Sequence, residues 1–245
     1  MMLFDETALF DEGKKRFTNF DLPGTGLRLW EQFFDRSESD HYFRLLKEST
    51  PWQQRTRKMY DKWVLDPRLT AWYGGPNGLE WTPALLAIKA RVEQGSGIAF
   101  NRVLLNFYRD GGDSVAWHSD TLPADGKHHP IASVTFGETR VFKIRPKAAV
   151  NSKSAGQPTA NRARNARINT SQWDIPLTHG SFLLMDATMQ DLYEHHIPKT
   201  SKAIGPRINM TFRISDSTKP VYYVNDTDPC PQNSGNTTSA PPSSP

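Results

Sequence analysis

Thiols are almost absent from this 245-residue chain, whose one cysteine is Cys230. That excludes an intramolecular disulfide framework and any zinc cluster built on several thiolates. Thiol poverty also suits a reducing compartment. Long apolar runs are missing too, and no stretch nears the ~20 residues that cross a bilayer as a helix. The first ten residues hold Asp5 and Glu6, nothing basic and no continuous apolar run, so they do not read as a secretory leader. The expectation is a soluble protein inside the cell, in cytoplasm or nucleus, with no membrane partner. Hydrophobic residues make up 37% of the chain, too few for a core that extends through all of it.

Acid is missing from one stretch. Residues 141–173 contain Lys143, Arg145, Lys147, Lys153, Arg162, Arg164 and Arg167 but no Asp or Glu. Such a field draws in a polyanion, although a solvated basic loop has the same composition. Residues 150–166 and the chain from Val224 onward have few apolar side chains and are expected to be a surface loop and a disordered tail. The organisation expected is an extension over 1–28, one folded domain over 29–216 and a tail over 217–245.

What remains reads as short strands. Asn101–Tyr108, Ile131–Phe136, Thr139–Arg145, Ser181–Met185 and Arg207–Ile214 are the candidates. Helices are expected only in the first hundred residues. One runs over Glu38–Lys47 behind a cap-like Ser37 with Asp40, and one over Pro83–Gln94 between Pro83 and Gly95. Helices followed by a run of strands predict a mainly β (α+β) fold, a sandwich or jelly roll with helical buttressing.

Chemistry concentrates in the second half. His118-Ser119-Asp120 places a histidine and a carboxylate two apart, on one face of an extended segment. A third donor must come from another strand, and the pair His195-His196 leaves two choices. His128 and His129 lie in a polar loop and are expected to face solvent, while His179, before Gly180, suits a structural hydrogen bond. Two histidines and a carboxylate are the donors that hold non-haem Fe(II) with positions left open. Arg207 and Arg213 share a strand face with Asn209 and Thr211, while Ile208, Met210 and Phe212 take the other. Guanidinium grips carboxylate bidentately, so this face suits an organic diacid, although a half-solvated strand would also look this way. Asn106 and Tyr108 share a face of their own strand, where an amide and a phenol can hydrogen-bond the same ligand. Together these groups suggest oxidation driven by 2-oxoglutarate and O₂.

Asn106-Phe107-Tyr108, His118-Ser119-Asp120, His195-His196-Ile197-Pro198-Lys199 and the Arg207–Arg213 string resemble the AlkB family of Fe(II)- and 2-oxoglutarate-dependent nucleic-acid dealkylases. The resemblance extends over Leu29–Ile214, with support from Pro67–Gly74 and Ile131–Gly137. It implies a double-stranded β-helix (jelly-roll) core and iron held by His118, Asp120 and His195, with His196 outside the set. It also implies a 2-oxoglutarate site lined by Asn106, Tyr108, Arg207, Asn209, Thr211 and Arg213, and Trp72 and Tyr73 as a lid over a flipped base. The implied activity is oxidative demethylation of N-alkylated bases (1-methyladenine, 3-methylcytosine) in DNA or RNA. Its partner would be a single strand or an opened DNA duplex, met by a monomer. Thr121 and Leu122 stand where the family has an acidic residue, and the segment between Gly75 and Trp81 is short. Both departures bear on which substrate is chosen. A different RNA modification, a protein substrate, or a non-catalytic nucleic-acid-binding module are the other readings.

Overall fold

One face of the principal sheet packs on the helices and the other meets a second sheet, and that burial on two sides shapes the architecture. In the computed structural model, residues 17–59, 62–123, 125–147 and 172–215 are described. The chain begins with β1 (Thr18–Leu22), β2 (Thr25–Trp30), α1 (Arg36–Ser49), the hairpin β3 (Thr56–Met59) and β4 (Lys62–Leu65), β5 (Leu69–Tyr73) and α2 (Pro83–Ser96). It continues through β6 (Arg102–Tyr108), β7 (Val115–His118), β8 (Ile131–Gly137), β9 (Arg140–Pro146), β10 (Trp173–Leu177) and β11 (Ser181–Met185). A single turn, α3 (Met189–Leu192), then leads to β12 (Tyr193–Ile197) and β13 (Arg207–Arg213). A seven-stranded sheet has the order β1-β2-β11-β8-β13-β6-β5, and a four-stranded sheet the order β10-β9-β12-β7. All of their pairings are antiparallel. The fold is the jelly roll of the double-stranded β-helix.

β11 shows why the runs are continuous rather than alternating. Phe182 and Leu184 enter the core that the large sheet shares with the helices, together with Phe33, Leu85 and Ile88. Leu183 and Met185 enter a second core between the sheets, against Phe142, Ile144 and Ile175. A strand buried on two faces has no polar position to spare. β13 obeys the same rule on one face only: Ile208, Met210 and Phe212 join the helix-side core.

Several boundaries differ from expectation. The box that starts α1 is built on Asp35 rather than Ser37. Asp35 accepts from the Glu38 amide at 2.8 Å, while its own N–H donates to Glu38 Oε2 at 2.9 Å. Glutamate reaches back where aspartate at residue 40 is too short. α2 passes through Gly95 and stops at Gly97, which takes the left-handed conformation with φ 73°. Gly95 stays inside the helix because Phe33 packs where its side chain would be, with ring atoms 2.6 Å from an ideal Cβ. Helices are also not confined to the first hundred residues, since α3 lies beyond them. The boundary drawn at residue 28 falls inside β2, and β1 and β2 belong to the large sheet. The expected tail, Cys230 and the loop over 150–166 lie outside the described residues. Among the described residues, no helix is long and apolar enough to cross a membrane.

His179 has the structural role expected. Its Nδ1 accepts the Gly137 N–H at 2.8 Å, and its Nε2 faces Asp40 on α1 at 3.2 Å. Burial holds its pKa below the ordinary value, against the pull of Asp40. Protonation would put a hydrogen on Nδ1 against the Gly137 donor. The unfolded chain takes up that proton near pH ~6.5, whereas the folded chain resists it to lower pH. Stability is therefore complete above that value and is lost as pH falls toward the folded pKa. Urea midpoints should drop between pH 7 and 5, and drop less in His179→Asn.

Candidate active site

The pairing of β12 with β7 sets His195 directly opposite His118, and their rings are 4.4 Å apart. Asp120 lies two residues past the end of β7. One ligand atom from each of His118, Asp120 and His195 lies within 4.8 Å of the others. His118 Nδ1 is 2.8 Å from the Ala116 carbonyl, which fixes Nδ1 as the donor and leaves the Nε2 lone pair for a ligand. His195 is 5% exposed, and its Nδ1 is buried without a hydrogen-bond partner. Burial, more than any other influence, pushes His195 down to about 3, so its ring is neutral. Burial works the other way on Asp120. Arg213, His195, His118 and a hydrogen bond from Arg213 outweigh it and hold the carboxyl below its ordinary range. A neutral His195 and an anionic Asp120 are the protonation states a divalent metal requires of those two ligands.

His196 points to the opposite face of β12. It stacks on Trp117 at 3.8 Å, and the Arg145 guanidinium covers Trp117 at 4.1 Å. The choice between the adjacent histidines is thus decided by strand alternation. His128 and His129 are not solvent-facing as expected. They are 15% and 26% exposed and pair with Asp191 and Asp125 at 3.4 and 2.6 Å, fastening the loop that follows the site.

The other end of the cleft is cationic. β13 lies between β8 and β6, with Arg207 beside Tyr108. Arg207 is 1% exposed and donates from Nη2 to Thr135 Oγ1 at 3.0 Å, while Nε and Nη1 have no partner. It has no acidic partner among the described residues. Burial pulls it down to about 10; Tyr108 opposes that pull and Arg140 adds to it. It is still a cation at neutral pH, with two nitrogens that have no hydrogen-bond partner. Such a group is costly unless an anion arrives.

The other expected residues divide by what they do. Asn106, Tyr108, Asn209, Thr211 and Arg213 all line the cleft. Asn209 spends its amide on Ser133 Oγ and the Val134 carbonyl, and accepts from Thr211. Arg213 is committed to Asp120 by a hydrogen-bonded ion pair. Trp72 and Tyr73 do not line the cleft. Tyr73 is 3% exposed in the helix-side core, so it cannot cover a base. Strand alternation turns Trp72 to the other face, where the Arg213 guanidinium lies 5.7 Å from its ring. Arg68 was not anticipated. It lines the cleft and donates to Asn106 Oδ1 at 2.9 Å. Its even spacing from Thr70 and Trp72 is the signal that could have found it. The apolar walls, including Leu104, Phe142 and Leu177, come from both sheets and leave no local pattern.

Of the basic stretch, Lys143 and Arg145 pair with Asp174 and Glu194, and Lys147 donates to the Gln190 carbonyl. Lys153, Arg162, Arg164 and Arg167 lie outside the described residues.

If the unmatched charge of Arg207 is a cost borne by the empty protein, Arg207→Met should raise its stability by roughly 1–4 kcal/mol. Urea unfolding without added ligand measures this.

The sequence profile of the 2OG-Fe(II) oxygenase superfamily matches residues 26–213. Alpha-ketoglutarate-dependent dioxygenase alkB homolog 3 of Bos taurus is 38% identical over 192 residues, covering 74% of this chain and 63% of that protein. The Homo sapiens protein of the same name is 37% identical over 196 residues, covering 76% and 64%. DNA oxidative demethylase ALKBH2 of Homo sapiens is 32% identical over 194 residues, covering 74% and 70%. This chain thus spans a little under two thirds of the alkB homolog 3 proteins. A solved structure described as "The structure of OsALKBH1" overlays 81% of this chain with a TM-score of 0.48 at 14% identity. With a superfamily match through both sheets and an AlkB-like relative covered over 70% of its length, the chain belongs to the 2OG-Fe(II) oxygenases, among their AlkB-like members.

Proposed function

We propose that this chain is an Fe(II)- and 2-oxoglutarate-dependent dioxygenase that oxidatively demethylates N-alkylated bases, such as 1-methyladenine and 3-methylcytosine, in DNA or RNA. One observation carries the first half of the reading: a buried Arg207 with no acidic partner among the described residues lies in the same cleft as the His118, Asp120 and His195 donors. A carboxylate ligand beside a metal satisfies both ends at once. The second half is supported by the human relative named a DNA oxidative demethylase.

His118, Asp120 and His195 would hold the iron, with His195 already neutral and Asp120 already ionised. Arg207 would take one carboxylate of 2-oxoglutarate through Nε and Nη1, with Tyr108 beside it. Arg213 keeps Asp120 ionised and in place. Asn209 and Thr211 bond mainly to the sheet and hold its inner face in register. With iron, 2-oxoglutarate and O₂ bound, the site would supply an oxidant for the N-methyl carbon: one oxygen atom of O₂ would hydroxylate it and the other would end in succinate as 2-oxoglutarate loses CO₂, after which the C–N bond would break and release formaldehyde. Apolar walls from Leu104, Phe142 and Leu177 keep water from that chemistry. Trp72, on the same side of β5 as Arg68, is the aromatic available to a base entering the cleft. A single strand of DNA or RNA, or an opened duplex, is the partner. It meets the protein as a monomer, in cytoplasm or nucleus.

Purified chain loaded with Fe(II) under anaerobic conditions, then given 2-oxoglutarate, ascorbate and O₂, should release formaldehyde from single-stranded 1-methyladenine or 3-methylcytosine oligonucleotides. His118→Ala should abolish this. Turnover of 2-oxoglutarate with the methyl group retained on every oligonucleotide would sink the substrate assignment and leave the oxygenase chemistry standing. Losing the partner of a buried charged contact costs ~2–5 kcal/mol, so Arg207→Met should raise the KM for 2-oxoglutarate roughly 30-fold or more. An unchanged KM would remove Arg207 from the cosubstrate site.

A further inference from the structure

β7 ends at His118, so Ser119 and Asp120 leave the ladder where the site needs its carboxylate. Two side-chain bonds replace the missing strand pairing. Ser119 Oγ donates to the Tyr193 carbonyl at 2.8 Å, and the Asp120 amide donates to Gln190 Oε1 at 2.8 Å. Gln190 comes from α3 and is 0% exposed. Its Nε2 meets Met185 Sδ at 3.9 Å, and a thioether is a weak acceptor. Rotating the amide would set its NH₂ against the Asp120 N–H, so the orientation follows from the bond it makes. A buried amide whose strong bond goes to one main-chain N–H is costly to keep unless that N–H must be placed.

We propose that Gln190 is a positioning residue: it fixes the backbone of Asp120 so that the carboxylate converges with His118 and His195. The inference rests on the reading that these three side chains hold a metal ion. Arg213 grips the carboxylate and Gln190 grips the main chain, so Asp120 is held at both ends. With Gln190 unable to accept, the carboxylate stays tethered to Arg213 but is free to swing away from the imidazoles. α3 thereby has a task that its one-turn length does not advertise. It carries the acceptor that completes the end of β7.

The test uses the full chain and three variants. Gln190→Met keeps the length and removes the strong acceptor. Gln190→Glu keeps an acceptor oxygen. Met189→Ala removes a fully buried neighbour that packs in the core between the sheets. Mn(II) affinity is measured by calorimetry, and hydrogen exchange of the Asp120 amide is followed in metal-free protein. Gln190→Met should weaken Mn(II) roughly 10–100-fold and speed Asp120 exchange. Gln190→Glu should restore most of the affinity. Met189→Ala should lower the Tm without moving it. Wild-type affinity in Gln190→Met with a protected Asp120 amide overturns the proposal. So does a Met189→Ala protein that loses as much affinity as Gln190→Met. Should Gln190→Met not fold, Gln190→Asn, shorter by one methylene, makes the same comparison with the same two readouts. Wild-type protein that binds no Mn(II), or His118→Ala that binds it equally well, overturns the metal reading itself. Normal wild-type binding beside an unaffected Gln190→Met overturns this inference alone.

Discussion

Arg207 is the constraint around which the inner half of the molecule is arranged. A guanidinium at 1% exposure with two unpartnered nitrogens is tolerable only if the surrounding structure is rigid enough to hold it and open enough to admit an anion. β13 supplies the rigidity. It lies between β8 and β6, and its Ile208, Met210 and Phe212 are anchored among the helix-side aromatics. The apolar face of the strand thus supports the charged one. Transfer of three large apolar side chains from water stabilises by about 1.5–3 kcal/mol each, enough to offset a buried cation's desolvation after local relaxation.

The metal end is built on a different principle. There the important quantity is register, because His118 and His195 face each other across a two-strand pairing. A slip of one residue would send one ring to the outer face, where Trp117, His196 and Arg145 form their stack. That stack lies across the same two strands, so it resists such a slip. Electrostatics then completes what register begins. Burial deprotonates His195, and Arg213 overcomes the effect of burial on Asp120. Arg213 also joins the two ends, since it belongs to the large sheet while the histidines belong to the small one.

How much of this could be read from the chain depends on whether the determining contact was local. β8, β11 and β13 were legible because uninterrupted or alternating apolar residues reflect the faces they bury. His118, Asp120 and His195 were legible because spacing and motif carry them. β7 was not, being only four residues long, and Pro176 hid β10. Tyr73 was misplaced because adjacent aromatics on a strand necessarily face opposite ways, and a motif match assigned both to one role. Gly97 rather than Gly95 ends α2 because of Phe33, over 60 residues away in sequence. Gln190 had no sequence signature at all, since an amide reaching 70 residues back to a main-chain N–H obeys no period.

The division of labour between sheets and connections says where change is tolerated. Metal donors, the buried arginine and the residues that hold them lie on paired strands or are pinned to them, so substitutions there disturb both packing and charge. Residues 121–123 and 125–130 are different. They follow directly from Asp120 and are fastened by side-chain contacts of His128 with Asp191 and of His129 with Asp125, both partly open to solvent. Such pairs contribute little stability, so this loop can vary in sequence without altering the sheets beneath it. Thr121 borders a small second cleft that shares Arg213 with the main one, and Leu122 is 49% exposed beside it. Substitutions at those two positions would therefore change the rim of the cleft while leaving the carboxylate and imidazoles where they are. In this chain the strands fix where the carboxylate and imidazoles converge, and the loop that follows Asp120 is the part of the cleft's rim that can change without moving them.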